Sequence, residues 1–140
     1  LEIAGYIERV QLAHCDAKEL GFPAHSFDIV MSNSIVHHIP EPRQVLSEAL
    51  RMVRPGGLIF FRDLARPASV EVLEELVQKY AGQENENSRR MFAESLHASL
   101  SLEEIRQLVV ELGGAAEDVQ MTSDRHWTWS HWAPSEEASA

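Results

Sequence analysis

Phe27-Asp28-Ile29-Val30-Met31, then Val45, Leu46, Ala49, Leu50 and Val53 at helical spacing, then Pro55-Gly56-Gly57-Leu58-Ile59-Phe60-Phe61, is the stretch whose reading decides the fold. The first run is short, apolar and β-branched at its centre, and it stops at Ser32-Asn33-Ser34, as a buried strand does. Pro42 suits the first turn of the helix that follows, and the Pro-Gly-Gly triplet stops it. Leu58 to Phe61 is apolar throughout, the pattern of a strand covered on both faces, and Arg62-Asp63 ends it in polar groups. Strand, helix and strand in that order require a right-handed crossover and a parallel pair. The fold class is α/β.

Working outward toward the amino terminus, Val10, Leu12 and His14 alternate with Gln11, Ala13 and Cys15, which predicts a strand ending at Asp16. In that strand Cys15 reads as a small core residue rather than a nucleophile. Leu1, Ile3, Ala4 and Ile7 sit close to helical spacing, as the last turns of a helix would, although Gly5 weakens the pattern. Toward the carboxyl terminus, Leu73, Leu76, Val77 and Tyr80 form one helical stripe, and Met91, Phe92, Ser95, Leu96 and Ser99 form a second. Ser101 and Glu104 make a capping box for a third helix, which Gly113-Gly114 terminates. Ala116 to Thr122 and Arg125 to Trp132 read as an antiparallel hairpin. Trp127 and Trp129 share one of its faces, so a sheet core explains them best.

Composition narrows the function. The 140 residues fit one domain, and 44% hydrophobic with 24% charged residues is a globular mixture. Twelve basic against twenty-two acidic residues give a net charge of -10, which repels nucleic acid and anionic membrane surfaces at long range. No apolar run approaches the roughly 20 residues of a membrane helix. The single cysteine excludes an intrachain disulfide and points to a reducing, cytoplasmic setting. His37 and His38 are adjacent and expected to diverge, His126 and His131 fall on opposite strand faces, and no H-E-x-x-H occurs, so no metal site is expected.

Open α/β sheets bind ligands at the carboxyl ends of their strands, which singles out Asp16, Asn33 and Asp63. Asp16 has two readings. It accepts from an exocyclic amine such as that of adenine while the Ala17 N–H serves a ring nitrogen, or it caps the turn from Ala17 to Leu20. Asp28 sits at the opposite, amino-terminal end of its strand and reads as structural.

The ordered strings His14-Cys15-Asp16-Ala17, Leu20-Gly21-Phe22-Pro23, Ser26-Phe27-Asp28-Ile29-Val30, Val36-His37-His38-Ile39 and Val53-Arg54-Pro55-Gly56-Gly57-Leu58 together resemble the class I S-adenosylmethionine-dependent methyltransferases. The likeness is closest to the small-molecule branch that includes the quinone-biosynthesis enzymes, and it covers Val10 to Asp63 best. It implies a Rossmann-like sheet closed by a carboxyl-terminal antiparallel hairpin. It also implies S-adenosylmethionine as cofactor and a small-molecule methyl acceptor. By the same resemblance Asp16 and Ala17 fall at the adenine, Asn33 falls at the methionine part, and Phe22 either lies near the adenine ring or simply packs. No catalytic residue is carried over; His38 orients substrate, acts as a base or packs on the next helix.

The departure is equally informative. The family's glycine-rich turn and the acidic strand end for the ribose hydroxyls have no counterpart here. The chain opens at Leu1 as though in the middle of a domain, and residues 1–133 read as the carboxyl-terminal part of a methyltransferase domain incomplete at its amino terminus. Residues 67–100 are a lid-like helical insertion in which Arg89-Arg90 either recognise an anionic substrate or form a solvated face. Residues 134–140 read as a disordered tail. The family's strand order, 3-2-1-4-5-7-6, puts two absent strands between Val10–Ala17 and Phe27–Met31, a gap of roughly 14 Å at about 4.8 Å per spacing. Upstream chain fills it, or the first strand moves across, or another chain, including a second copy in a homodimer, supplies the strands; the first is preferred. The isolated chain is expected to bind cofactor weakly and to be inactive alone. The alternative is a non-catalytic methyltransferase-like module, either a truncated relic or a partner subunit.

Overall fold

The structure, a computed structural model, describes residues 8–136. The expected helix end over residues 1–7 and the tail beyond residue 136 lie outside them. Phe27–Asn33 forms β1, Pro42–Met52 α1, Val53–Leu64 β2, Val70–Ala81 α2, Glu86–Ala98 α3, Leu102–Glu111 α4, Val119–Met121 β3 and His126–Trp132 β4. β1 and β2 are parallel, while β4 runs antiparallel to both β2 and β3, giving the order β1-β2-β4-β3. This is the expected α/β sheet with its hairpin, and the order reproduces the last four strands of the family topology.

The helix boundaries follow local chemistry. Pro42 lies in the first turn of α1, where its missing N–H costs nothing. The Ser101 hydroxyl accepts from Glu104 N at 3.1 Å and Glu104 accepts from Ser101 N at 2.9 Å, completing the capping box of α4. The Pro-Gly-Gly triplet is more than a stop, because β2 begins at Val53 and the triplet sits within it. Phe27 pairs with Val53 and Ile29 with Leu58, so the extra residues bulge, with Gly56 at φ 78°. A Cβ on Gly57 would stand 2.6 Å from the carbonyl oxygen of Asp28, so glycine is needed where β2 meets β1.

One sheet face carries the main core. Ile59, Phe61, Trp127, Trp129 and Val119 pack with Val45, Leu46 and Ala49 of α1 and with Ile105 and Val109 of α4. Trp127 and Trp129 are essentially buried, as their shared face predicts, whereas Trp132 is exposed. On the other face Leu64 packs with Leu76 of α2 and Leu96 of α3, a second small cluster that seats residues 67–100 at the carboxyl end of β2. Farther along that same face, Ile29 and Met31 are 57% and 72% exposed.

Val10 to Asp16 departs from expectation. It forms no strand, Leu12 is 80% exposed, and Cys15 lies at the surface instead of in the core. Backbone donors and acceptors form a strand only against a neighbour, and none of the described strands offers one here. The segment has not moved across to β1, whose outer edge is bare among the described residues.

α2 is tied to the β3–β4 turn by charge. The Tyr80 hydroxyl donates to Asp124 at 2.7 and 2.9 Å, Lys79 Nζ lies 3.0 Å from the same carboxylate, and the Arg125 guanidinium stands 3.6 Å over the Tyr80 ring. The Tyr80 hydroxyl first, and Lys79 after it, hold the Asp124 carboxyl down to about 2 from its ordinary 3.8. A depressed carboxyl stabilises the fold above its unfolded value and loses that contribution as pH falls through the folded one. The stability gap between the wild type and Tyr80→Phe, followed by thermal melting, is therefore expected to be full near neutrality and to close as pH falls from about 4 to about 2. A gap unchanged at the acid end would show that the hydroxyl does not act through this carboxylate.

Candidate functional site

Because β1 and β2 are parallel, their carboxyl ends emerge together, with Asn33 opposite Arg62. The chain leaves β1 through Ser34, at φ 61°, whose N–H donates to Arg62 O at 2.9 Å. It then enters a short 3₁₀ turn at Val36–His38. That sharp exit lays the turn over the end of β2, directly against Asp63.

Asp63 is 1% exposed and accepts three hydrogen bonds. Oδ2 takes Val36 N at 2.7 Å, while Oδ1 takes Leu64 N at 2.8 Å and His37 Nδ1 at 2.6 Å. A carboxylate is acceptor-only, so His37 donates to it through Nδ1–H. His37 and His38 do not diverge as expected. A 3₁₀ turn packs consecutive residues more tightly than a strand, and their rings stand 3.9 Å apart at 42°. Both rings line a cavity of about 360 Å³ shared with Pro40, Ala98 and Leu100, so the end of α3 roofs the turn.

The three residues expected to bind cofactor fall in two places. Asn33 is exposed at the end of β1, its side-chain oxygen accepting from the Ser34 hydroxyl at 3.3 Å. Asp16 and Ala17 lie in a turn closed by Glu19 N to Asp16 O at 2.9 Å. There Asp16 Oδ1 accepts from Lys18 N at 2.9 Å, and that backbone N–H is the main reason its carboxyl is held below the usual range. The turn is anchored to α1 through Leu20 N, which donates to Glu48 at 2.6 Å, and Ala17 packs against the main core. Among the described residues no hydrogen bond or ion pair joins Asp16 or Ala17 to Asn33. Phe22 packs edge-on against Phe27, ring centres 5.3 Å apart.

Other polar residues have local partners. Asp28 pairs with Arg54 at 2.7 Å, at the amino-terminal end of β1. Arg90 is exposed and bonds Asn87 at 2.7 Å. His126 accepts at Nδ1 from Arg62 at 3.2 Å and bonds the Ser123 hydroxyl at 2.7 Å; burial first, and the charges of Arg62 and Arg125 next, push its imidazole below the ordinary value. His131 lies 3.5 Å from Asp118. Among the described residues no three His, Cys, Asp or Glu side chains are grouped to hold a metal ion.

The His37–Asp63 pair is the feature that reading the sequence missed. Asp63 stood out as a polar strand end, and the usable signal was the parallel register that brings the residues after β1 onto that end.

Comparison with known proteins agrees with this architecture. The family described as a methyltransferase domain matches residues 2–61. The 27-O-demethylrifamycin SV methyltransferase of Amycolatopsis mediterranei is 33% identical over 125 residues, 86% of this chain and 42% of that protein. The demethylmenaquinone methyltransferase of Bacillus cytotoxicus is 34% identical over 64 residues, 46% of this chain and 27% of that protein. A solved S-adenosylmethionine-dependent methyltransferase from Aquifex aeolicus shares the fold with a TM-score of 0.61 at 13% identity, over 92% of this chain and 57% of that one. The chain thus spans less than half the length of these curated relatives.

Proposed function

The chain belongs to the class I S-adenosylmethionine-dependent methyltransferases, and from that premise we propose that it transfers the methyl group of S-adenosylmethionine to a small-molecule acceptor while carrying only part of the cofactor site. The observation that carries this reading is the joint emergence of Asn33 and Asp63 at the carboxyl ends of a parallel pair, with Asp63 holding the Val36–His38 turn that lines the cavity roofed by α3.

The donor set suits a nucleoside. Asp16 offers an exposed carboxylate, and the neighbouring Ala17 N–H has no acceptor among the described residues, a combination that matches the amine and ring nitrogen of adenine. Asn33, with an amide free to donate, would take the methionine part. When bound, the cofactor supplies an electrophilic methyl on a sulfonium. The protein's share of catalysis is then to align the acceptor and keep water out, which suits residues 67–100 to the role of a lid.

The edge of β1, unpaired among the described residues, and the exposed Ile29 and Met31 favour completion of the sheet by further strands, from the same polypeptide or from a second copy. The single cysteine favours a reducing, cytoplasmic setting. No helix among the described residues is long and apolar enough to cross a membrane.

Calorimetric titration of the complete protein with S-adenosylmethionine tests the assignment. Asp16→Asn is expected to weaken binding by about tenfold, since it gives up a charged acceptor. Affinity unchanged in both Asp16→Asn and Asn33→Ala removes these residues from the site. No binding by the wild type favours a non-catalytic module instead.

A further inference from the structure

We propose that Arg62 is a specificity-determining residue of the same site, and that it recognises a negatively charged oxygen group, a carboxylate or a phosphate, on the methyl acceptor. The inference rests on the methyl-transfer reading above and adds a substrate class to it.

The alternation of β2 places Arg62. Ile59 and Phe61 enter the main core, so Phe60, Arg62 and Leu64 face the other side of the sheet. On that side Arg62 has Asn33 beside it on β1 and Thr128 beside it on β4. Exposed Phe60 and Met31 lie behind it, toward the start of the strands. Leu64 lies ahead of it, packed under Leu76 of α2 and Leu96 of α3. Arg62 thus stands at the foot of residues 67–100 and next to the strand end assigned to the cofactor.

Its surroundings hold the guanidinium without neutralising it. Nη2 donates to Nδ1 of buried His126 at 3.2 Å, and the Ser123 hydroxyl bonds the same nitrogen at 2.7 Å. Arginine only donates, so His126 Nδ1 accepts and the imidazole is neutral. The carboxylates at this end of the sheet are engaged elsewhere. Asp63 serves Val36, Leu64 and His37, and Asp124 serves Tyr80, Lys79 and Arg125. No ion pair to Arg62 occurs among the described residues, and its side chain is half-buried. A half-buried cation without a counterion carries a desolvation cost that an arriving anion offsets. The N–H donors that His126 does not use form a planar fork, which matches two oxygens of a carboxylate or phosphate.

The direction of the side chain selects the acceptor over the cofactor. His126 pairs with Leu64, two residues beyond Arg62 and on the β4 side. Bonding there draws the guanidinium away from Asn33 on β1 and toward α2. An anion held by it is on the side of residues 67–100, not beside the strand end assigned to the methionine part.

The complete protein, saturated with S-adenosylhomocysteine, is titrated calorimetrically with benzoate, phenyl phosphate and the neutral benzyl alcohol. The wild type is expected to bind at least one of the anions about 10- to 100-fold more tightly than the alcohol, the scale of a charge-assisted contact. Arg62→Gln is expected to abolish that preference. Arg62→Lys keeps the charge but loses the fork, so it is expected to retain part of it, and it carries the test should the glutamine variant not fold. Affinity for S-adenosylmethionine is expected to be unchanged in both variants. Equal affinity of the wild type for anions and alcohol overturns the proposal, as does an anion preference that survives in Arg62→Gln or is undiminished in Arg62→Lys. Loss of S-adenosylmethionine affinity in the variants overturns it too, because Arg62 then serves the cofactor's own carboxylate. Failure of the wild type to bind cofactor strikes the methyl-transfer reading instead, and the same anion titrations without cofactor show whether the Arg62 contact stands apart from it.

Discussion

Asp63→Ala is expected to destabilise the fold by about 3–5 kcal/mol, the scale for stripping one partner from a buried charged cluster. The carboxylate is 1% exposed and serves Val36 N, Leu64 N and His37 Nδ1 at once. Alanine leaves three donors facing a space too confined for each to find water, and every unpaired buried donor costs about 1–3 kcal/mol. The 3₁₀ turn would lose its tie to β2, and with it the roof that α3 places over the cavity. Asp63→Asn keeps one acceptor oxygen but turns an amide toward a donor, so an intermediate loss is expected. Urea denaturation monitored by tryptophan fluorescence gives both numbers. A change below about 1 kcal/mol for the alanine variant would mean that these hydrogen bonds are not what holds the turn.

Much of this arrangement was legible in the residues because its causes are local. The apolar run from Phe27 to Met31, the helical spacing from Val45 to Val53 and the apolar strand from Leu58 impose a parallel pair. Ser101 and Glu104 announce the start of α4 through bonds only three residues long. What failed depended on distant partners. Val10 to Asp16 has the alternation of a strand, but alternation states which face would be buried and cannot supply the neighbour that buries it. Cys15 was misplaced for the same reason.

The candidate site divides in the same way. Asn33 is found at the end of its strand because the strand ends there. The bond between His37 and Asp63 spans 26 residues and exists because β1 and β2 run in register, a relation that neither residue's neighbours encode. The Pro-Gly-Gly triplet reads locally as a terminator. Its second role, letting β2 approach Asp28 without a side chain, is visible only once β1 lies beside it.

Trp129 is, with Trp127, one of the two largest fully buried side chains among the described residues. It is fully buried, stacks edge-on against Phe61 with ring centres 5.7 Å apart, and packs into the cluster that joins the sheet to α1 and α4. Trp129→Ala removes the side chain from the middle of that layer and is expected to cost about 3–5 kcal/mol, part transfer free energy and part cavity. Trp129→Phe separates the two. The indole N–H is buried without a partner among the described residues, so phenylalanine deletes an unsatisfied donor while keeping an aromatic ring against Phe61. Its cost is expected to stay below about 1.5 kcal/mol, because the lost volume is partly offset by relief of that donor. Equilibrium denaturation of both variants decides the matter. If phenylalanine proves as damaging as alanine, the indole N–H is engaged in a bond that stabilises the core, and the layer is held by polar as well as apolar contacts.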